Sequence, residues 1–363
     1  MNRKMRLGAG ILAAGLLFGG GWLPAESGYA ASGKTQNAVC NSVALRFNGK
    51  TAELKGLLME GNTWIPIAFL RDNLKLPFHY NELSKTYSIG QGYQTLNVSI
   101  YQGGITSYVN DYFLGEQQAK NINGRIYIPF QWVKNYLGYE GEWNSSPKAL
   151  NVVKSKENKL TISTEGYDKD TNQVSIHINY PKLSGTGNVE AEKAMNEILK
   201  KDAKLFQDSI DKRLKELGTT EESTVPYEFK GSYLVTYNQN GVLSLLTEHY
   251  EYLGGAHGMN VRKGYSFSLK DGKLLSLGDL FGENKDYLNL LNKKLNSKLN
   301  ALPGYFGGFN GLGDQPDFYV QPGGVRLFFQ LYEYTPYAAG FPEFTIGFNE
   351  LLPKGSNPFD AIK

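Results

Sequence analysis

One stretch of this chain is written twice. Gly61-Asn62-Thr63-Trp64-Ile65-Pro66-Ile67 returns 63 positions later as Gly124-Arg125-Ile126-Tyr127-Ile128-Pro129-Phe130. The register then continues without a gap. Phe69 falls on Trp132, Leu70 on Val133, Leu74 on Leu137, Tyr80-Asn81 on Trp143-Asn144 and Lys85 on Lys148, while upstream Asn48 falls on Asp111. A fixed period marks a supersecondary unit used more than once. The unit reads as small and α+β, with copies over 43–90 and 106–153. Trp64 to Ile67 alternates as a strand that ends at a proline, which suits a strand terminus or a helix entry. Short helices are expected from Pro66 and Pro129 through about Leu74 and Leu137. Their apolar residues recur at helical spacing: Ile67, Leu70, Leu74 and Phe130, Val133, Leu137. Closing strands follow at Thr86–Ile89 and Ala149–Val152. The aromatics at matched positions read as core, because small domains need large buried rings.

Composition sets the outer bounds. The chain has 363 residues, 41% hydrophobic and 13% aromatic with 24 Tyr, enough for two or three domains with sizeable cores. That excludes a disordered chain, a collagen and a multi-span membrane protein. A net charge of +3 gives no argument for a nucleic-acid partner. The single cysteine, Cys40, rules out an intrachain disulfide and a Cys-based zinc site. No cofactor is implied.

The first thirty residues read as an export signal. Arg3, Lys4 and Arg6 precede an apolar run from Leu7 to Leu23, Pro24 breaks it, and Gly28-Tyr29-Ala30 offers cleavage after Ala30. Cleavage leaves no stable membrane span. The alternative is an uncleaved N-terminal anchor facing outside. Cys40 lies well beyond the run and is not a lipoprotein cysteine.

The duplicated segment, roughly Val43 to Val153, resembles the copper-amine-oxidase-N-terminal-like stalk domain of exported bacterial proteins. The carriers are the paired hydrophobic-Ile-Pro-hydrophobic motifs and the Trp/Tyr-Asn pairs. Copper is not implied, since His79 is the single histidine of the segment. A mildly basic stalk suits a spacer or a contact with anionic wall polymer.

Lys154 to Lys159 is polar and charged and reads as a linker. Beyond it, strands are expected at Leu160–Thr164 and Val174–Tyr180, the second ended by Pro181, then a long helix from Val189 to Leu217 stopped by Gly218. A hairpin through Asn238-Gln239-Asn240-Gly241 joins Ser232–Tyr237 to Val242–Tyr252. After Lys263–Ser268 come a short helical turn at Ser276–Phe281, a helix from Tyr287 to Leu302, a Gly-rich loop and strands near Asp317–Val320, Gly324–Leu331 and Glu343–Phe348. The region is expected to be α+β, a mainly antiparallel sheet packed on two long helices, with 353–363 as a tail.

Three motifs in this region carry a likeness. They are Tyr180-Pro181, then Gly254-Gly255-Ala256-His257-Gly258 with Leu277-Gly278-Asp279-Leu280-Phe281, then Phe318-Tyr319 with Tyr332-Glu333-Tyr334-Thr335-Pro336-Tyr337. Together they resemble the paired extracellular domains of RsiV-type anti-sigma factors and PdaC-type peptidoglycan deacetylases, over about 160–352. The resemblance implies an extracytoplasmic binding module for a lysozyme-like protein or a peptidoglycan-related ligand. It implies neither sigma-factor control nor deacetylation here: only six residues precede the apolar run, and no deacetylase domain follows Leu352.

His257 is the sharpest chemical candidate. Glycines on either side permit a tight turn or the close approach of a ligand. A zinc site from His249, His257 and Glu251 has no supporting spacing. Tyr332, Glu333, Tyr334 and Tyr337 form an aromatic, acidic segment, and Tyr305 and Phe306 sit in a Gly-rich loop; both suit a binding surface. The expected function is that of a secreted or wall-associated, non-enzymatic binding protein of a Gram-positive-type bacterium. The alternative is a wall-modifying enzyme or accessory subunit with His257 as acid–base group.

Overall fold

The computed structural model describes residues 41–59, 61–116, 118–217, 226–360 and 362. The export signal, Cys40 and the helix stop at Gly218 lie outside these residues. The first copy of the repeat holds β1 (Asn41–Phe47), β2 (Lys50–Met59), β3 (Asn62–Pro66), α1 (Ile67–Asp72), β4 (Phe78–Asn81) and β5 (Thr86–Ile89). After β6 (Leu96–Tyr101) the second holds β7 (Gly104–Val109), β8 (Tyr112–Glu116), β9 (Lys120–Ile122), β10 (Arg125–Pro129), α2 (Phe130–Tyr136), β11 (Tyr139–Ser145) and β12 (Lys148–Lys154).

The two copies do not close separately. β3 and β10 pair antiparallel with Ile65 opposite Ile128, the equivalent positions of the repeat. Two sheets result, in the orders β11-β12-β1-β2-β3-β10-β9 and β4-β5-β6-β7-β8. The closing hairpin of each copy is therefore delivered to the sheet of the other copy's opening hairpin. Left-handed backbone recurs at the repeat offset, at Asn48 and Asp111, Gly61 and Gly124, Lys75 and Gly138. The helices stop short of Leu74 and Leu137, yet both leucines are buried. Trp64, Tyr127, Phe69 and Trp132 are buried, but the matched pair Tyr80 and Trp143 is 38% and 45% exposed. The core reading fails there because β4 and β11 are the outermost strands of their sheets.

The rest of the chain is α+β, with β13 (Thr161–Asp170), β14 (Val174–Ser184), α3 (Val189–Leu217), β15 (Tyr227–Gln239), β16 (Val242–Tyr252) and β17 (Met259–Ser268). Then come α4 (Leu277–Phe281), α5 (Tyr287–Asn300), β18 (Phe318–Gln321), β19 (Gly324–Phe328), β20 (Glu343–Gly347) and α6 (Phe348–Leu351). The five strands β13 to β17 form one sheet in sequence order, antiparallel except for the parallel pair β14–β15. Pro181 does not end β14. β15 pairs only with Val174–Ile178, so at Pro181 the strand has a neighbour on one side and needs no second N–H. The β15–β16 hairpin turns at Asn240-Gly241, both with positive φ (55° and 75°), as an Asn-Gly turn requires.

The two long helices serve different sheets. Met195 and Leu199 of α3 pack with Tyr233, Val235, Leu243 and Leu245 of the five-stranded sheet. Leu291, Leu295 and Leu299 of α5 pack with Val320, Leu327 and Ile346 of the sheet β18-β19-β20. Phe359 and Ile362 are buried in that second core, so the expected C-terminal tail is part of the fold.

Val242 to Thr247 is buried at every position. An antiparallel sheet commonly leaves one face to water, but here both faces are covered. Leu243 and Leu245 meet α3, while Leu234 and Leu246 join the core of the N-terminal domain together with Tyr319 and Phe328. The duplicated domain is thus a second layer over the sheet rather than a detached spacer. The expected linker is the seam. Asn158 Nδ2 donates to Asn238 Oδ1 (3.0 Å) and to the Val242 carbonyl (2.8 Å), and its Oδ1 accepts from Gly241 N (2.8 Å). Gln94 Nε2 donates to Glu157 Oε1 at 2.8 Å, and Ser155 N donates to the Gly138 carbonyl at 2.9 Å.

β18 lies so close to β17 that a Cβ at Gly264 would overlap the Phe318 carbonyl oxygen. Backbone cannot yield there as a side-chain tip would. Gly264→Ala is expected to destabilise the fold by about 2–3 kcal/mol, as other overpacking changes do. Urea denaturation against the unsubstituted chain measures it.

Candidate functional site

β16 and β17 are joined by the turn at 253–258, and His257 stands exposed on it. Its ring stacks on Tyr337 with centroids 3.8 Å apart and planes 18° apart. The Gly258 carbonyl lies 2.9 Å from Nδ1 and can only accept, so Nδ1 carries the proton. Nε2 is then the acceptor that faces the Tyr332 hydroxyl at 3.4 Å. Tyr332 and Tyr337 are themselves 5.7 Å apart, and Tyr332 is 49% exposed with φ 65°. Gly258 is needed by this arrangement, since a Cβ would overlap the Tyr250 ring. Burial and the nearby Glu228 push the Tyr250 hydroxyl up to about 12, so it stays a neutral phenol. The structure therefore brings His257, Tyr332 and Tyr337 into one aromatic patch.

The other expected residues are not part of that patch. Tyr334 is wedged edge-on against Phe329 at 4.9 Å and packs on Tyr305 and Phe309. The Tyr305 hydroxyl accepts from Phe309 N at 3.1 Å. These rings hold the Gly-rich loop against the second core. Phe306 is 59% exposed, tied through its N–H to the Tyr334 carbonyl at 2.9 Å. Glu333 caps a turn by accepting from Gln330 N at 2.8 Å.

The residues of the zinc alternative face separate partners. Alternation along β16 sends Thr247, His249 and Glu251 toward α3. There His249 Nε2 lies 3.3 Å from Asp202 Oδ2, and its ring stacks on Phe206 at 4.3 Å. Thr247 Oγ1 donates to Asp202 (2.9 Å), Lys263 Nζ reaches its other oxygen (2.8 Å), and Glu251 pairs with Arg213 at 3.2 Å. Burial works against the Asp202 charge, but His249 and Lys263 outweigh it and hold the carboxyl below its usual range.

The opposite face of β16 holds a group that sequence reasoning missed. Arg262 is opposite Glu248 in the β16–β17 pairing. Its Nε and Nη2 donate to Glu248 Oε2 at 3.1 and 3.0 Å, and Nη1 meets Glu343 Oε1 of β20. The guanidinium lies 4.0 Å from the Phe341 ring centre and 5.7 Å from that of Tyr112, whose hydroxyl also reaches Glu248 (3.3 Å). Gln330 is held by Arg262 N (3.1 Å) and the Arg262 carbonyl (2.7 Å), which fixes the segment leading to Tyr332 and Tyr337. The strand expected at Lys263–Ser268 begins at Met259, and so includes Arg262. The available signal was the uninterrupted buried run of β16, which demands a second covering layer.

A depressed carboxyl stabilises the fold above its unfolded pKa and loses that contribution as pH falls toward its folded value. For Asp202 the loss begins below about pH 4, the unfolded value. Asp202→Asn is expected to cost about 2 kcal/mol at pH 7 and to flatten the stability profile between pH 4 and pH 2. Denaturant midpoints across that range test it.

Comparison with known proteins finds three family matches along the chain. Residues 46–153 match the copper amine oxidase N-terminal domain, 167–260 the deacetylase PdaC family, and 278–349 a protein family of unknown function, DUF3298. The peptidoglycan-N-acetylmuramic acid deacetylase PdaC of Bacillus subtilis (strain 168) is 25% identical over 142 residues, covering 39% of this chain. The match spans 29% of that protein's own length. Two solved DUF3298 structures are similar. The one from Bacteroides fragilis has 18% identity, TM-score 0.42, and covers 57% of this chain and 99% of its own. The one from Pseudomonas aeruginosa has 15% identity, TM-score 0.38, and covers 54% and 93%. The chain therefore carries a copper amine oxidase N-terminal-like domain followed by a PdaC and a DUF3298 domain.

Proposed function

We propose that this chain is an exported, cell-wall-associated binding protein without catalytic activity of its own, and that its C-terminal half recognises a lysozyme-like protein. The PdaC and DUF3298 matches, and a relative named for acting on peptidoglycan, support the wall setting. No helix among the described residues is long and apolar enough to cross a membrane. The observation that carries the binding reading is the His257–Tyr337–Tyr332 stack. Stacked, partly exposed aromatic rings have few rotatable bonds to freeze on contact and are the side chains that anchor protein interfaces. A peptidoglycan-related ligand on the same patch is the other arm of the test, with the duplicated domain in contact with the wall.

The chain from Ala31 onward is expected to bind lysozyme in calorimetric titration, and Tyr337→Ala to weaken it about thirtyfold, or about 2 kcal/mol. Absence of a complex at tens of micromolar, alongside retention on purified peptidoglycan that Tyr337→Ala reduces, moves the ligand to the wall itself. The exposed His257 gives the enzymatic reading its test. Wall hydrolysis or deacetylation by the purified chain, lost in a folded His257→Ala variant, overturns the non-enzymatic proposal.

A further inference from the structure

From Thr86 to Asn110 the chain carries no Asp, Glu, Lys or Arg, although these types make up 20% of the whole. That stretch folds into β5, β6 and β7, the three central strands of the sheet β4-β5-β6-β7-β8. Side chains alternate cleanly between its two faces. Leu96, Val98, Ile105 and Val109 point into the core of the duplicated domain. The residues between them form the other face, and Asn97, Ser99, Thr106 and Tyr108 each keep part of their surface open. A face left to water ordinarily mixes charges of both signs, which keep it from associating. The central strands of this one present none.

Hydroxyl, amide and aromatic groups stand there in register. Ser88, Asn97, Tyr108 and Phe113 are successive cross-strand partners from β5 to β8, and Thr86, Ser99 and Thr106 form the next row. Ser88 Oγ donates to Asn97 Oδ1 at 2.6 Å, and Thr86 Oγ1 lies 2.8 Å from Ser99 Oγ. Asn97 is thus fixed through its oxygen, while its Nδ2 has no hydrogen-bond partner among the described residues. Aromatic rings stand at both ends of the polar rows. Tyr108 and Phe113 pack together at 5.3 Å, and Phe113 is 41% exposed. Tyr101, 43% exposed, lies over the β6–β7 turn, where a Cβ at Gly103 would overlap its ring. Tyr101 is opposite Gly104, four residues from Tyr108 on β7, so the aromatic ends are about 13 Å apart along the strands.

We infer that this face binds an uncharged polysaccharide, laid along β6 and β7 from Phe113 to Tyr101. The exposed rings stack on the apolar faces of the sugar rings. Asn97, Ser99 and Thr106 between them exchange hydrogen bonds with sugar hydroxyls or N-acetyl groups. Ser88 and Thr86 already hold two of these side chains, which lowers the entropy lost on binding. Charge decides between partners. An anionic wall polymer needs lysines or arginines to pair with. A protein of ordinary surface composition brings charges that this face would desolvate without pairing. A neutral glycan requires neither. The inference rests on the wall setting proposed above, but not on the His257–Tyr337–Tyr332 patch, so either can fail without the other.

Titration calorimetry of the chain from Ala31 onward tests it. The neutral probes are cellotetraose and tetra-N-acetylchitotetraose, and tetragalacturonate is the charged comparator. The expected result is binding of at least one neutral probe, unchanged between low and high salt because no ion pair is involved, and no binding of tetragalacturonate. Phe113→Ala and Tyr101→Ala are each expected to weaken it about tenfold, and Asn97→Ala about threefold. Thermal melting shows whether each variant is folded. Tyr337→Ala is expected to leave this binding unchanged, which separates the face from the exposed patch. No binding of either neutral probe at millimolar concentration overturns the inference. So does tighter binding of tetragalacturonate, neutral binding that survives in folded Phe113→Ala and Tyr101→Ala, or neutral binding lost in Tyr337→Ala. Self-association in sedimentation that Phe113→Ala abolishes, with no sugar bound, overturns it by giving the face to a second copy of the chain.

Discussion

Arg262 ties together three parts of the molecule that are far apart in sequence. Its side chain is 12% exposed, and its guanidinium is held by Glu248 from the five-stranded sheet and Glu343 from the three-stranded sheet. Tyr112 of the duplicated domain lies over it and shares the Glu248 carboxylate. Burying a guanidinium costs several kcal/mol unless its donors are used and its charge is matched. Here Nε and both terminal nitrogens are used. The geometry is therefore demanding: each layer has to be in place for the others to be favourable. The position of the exposed patch follows from it, because Gln330 is anchored on the Arg262 backbone just before Tyr332.

The same constraint turns a presumed spacer into a structural layer. Leu234 and Leu246 would face water without the duplicated domain, and Glu157 and Ser155 would lose their partners Gln94 and Gly138. The repeat itself is built on exchange, since each copy completes the other's sheet around the Ile65–Ile128 pair. Neither copy could be removed without exposing the core that the other relies on.

Much of this was legible in the residues, and the gaps have physical reasons. Local patterns announced the Ile-Pro strands, the long helix α3, the Asn-Gly hairpin and the α5 stripe, because periodicity and turn chemistry act over a few residues. What spacing cannot carry is which surfaces meet. Tyr80 and Trp143 matched each other in the repeat, but edge position left them exposed. Asn158 looked like linker and serves as a seam. Tyr305 and Tyr334 looked like binding residues and pack inward, whereas His257 and Tyr337, 80 positions apart, stack face to face. Arg262 lay hidden because a lone arginine in a strand says nothing until its two carboxylates, from different sheets, are in view.

The account's central claim is that the duplicated domain and the PdaC and DUF3298 domains form one cooperative body closed around Arg262. Scanning calorimetry of the chain from Ala31 onward tests it most directly. The account predicts a single transition whose calorimetric and van't Hoff enthalpies agree, displaced as a whole to lower temperature in Arg262→Met. Two separate transitions, with the one belonging to the duplicated domain unmoved by that substitution, would contradict it.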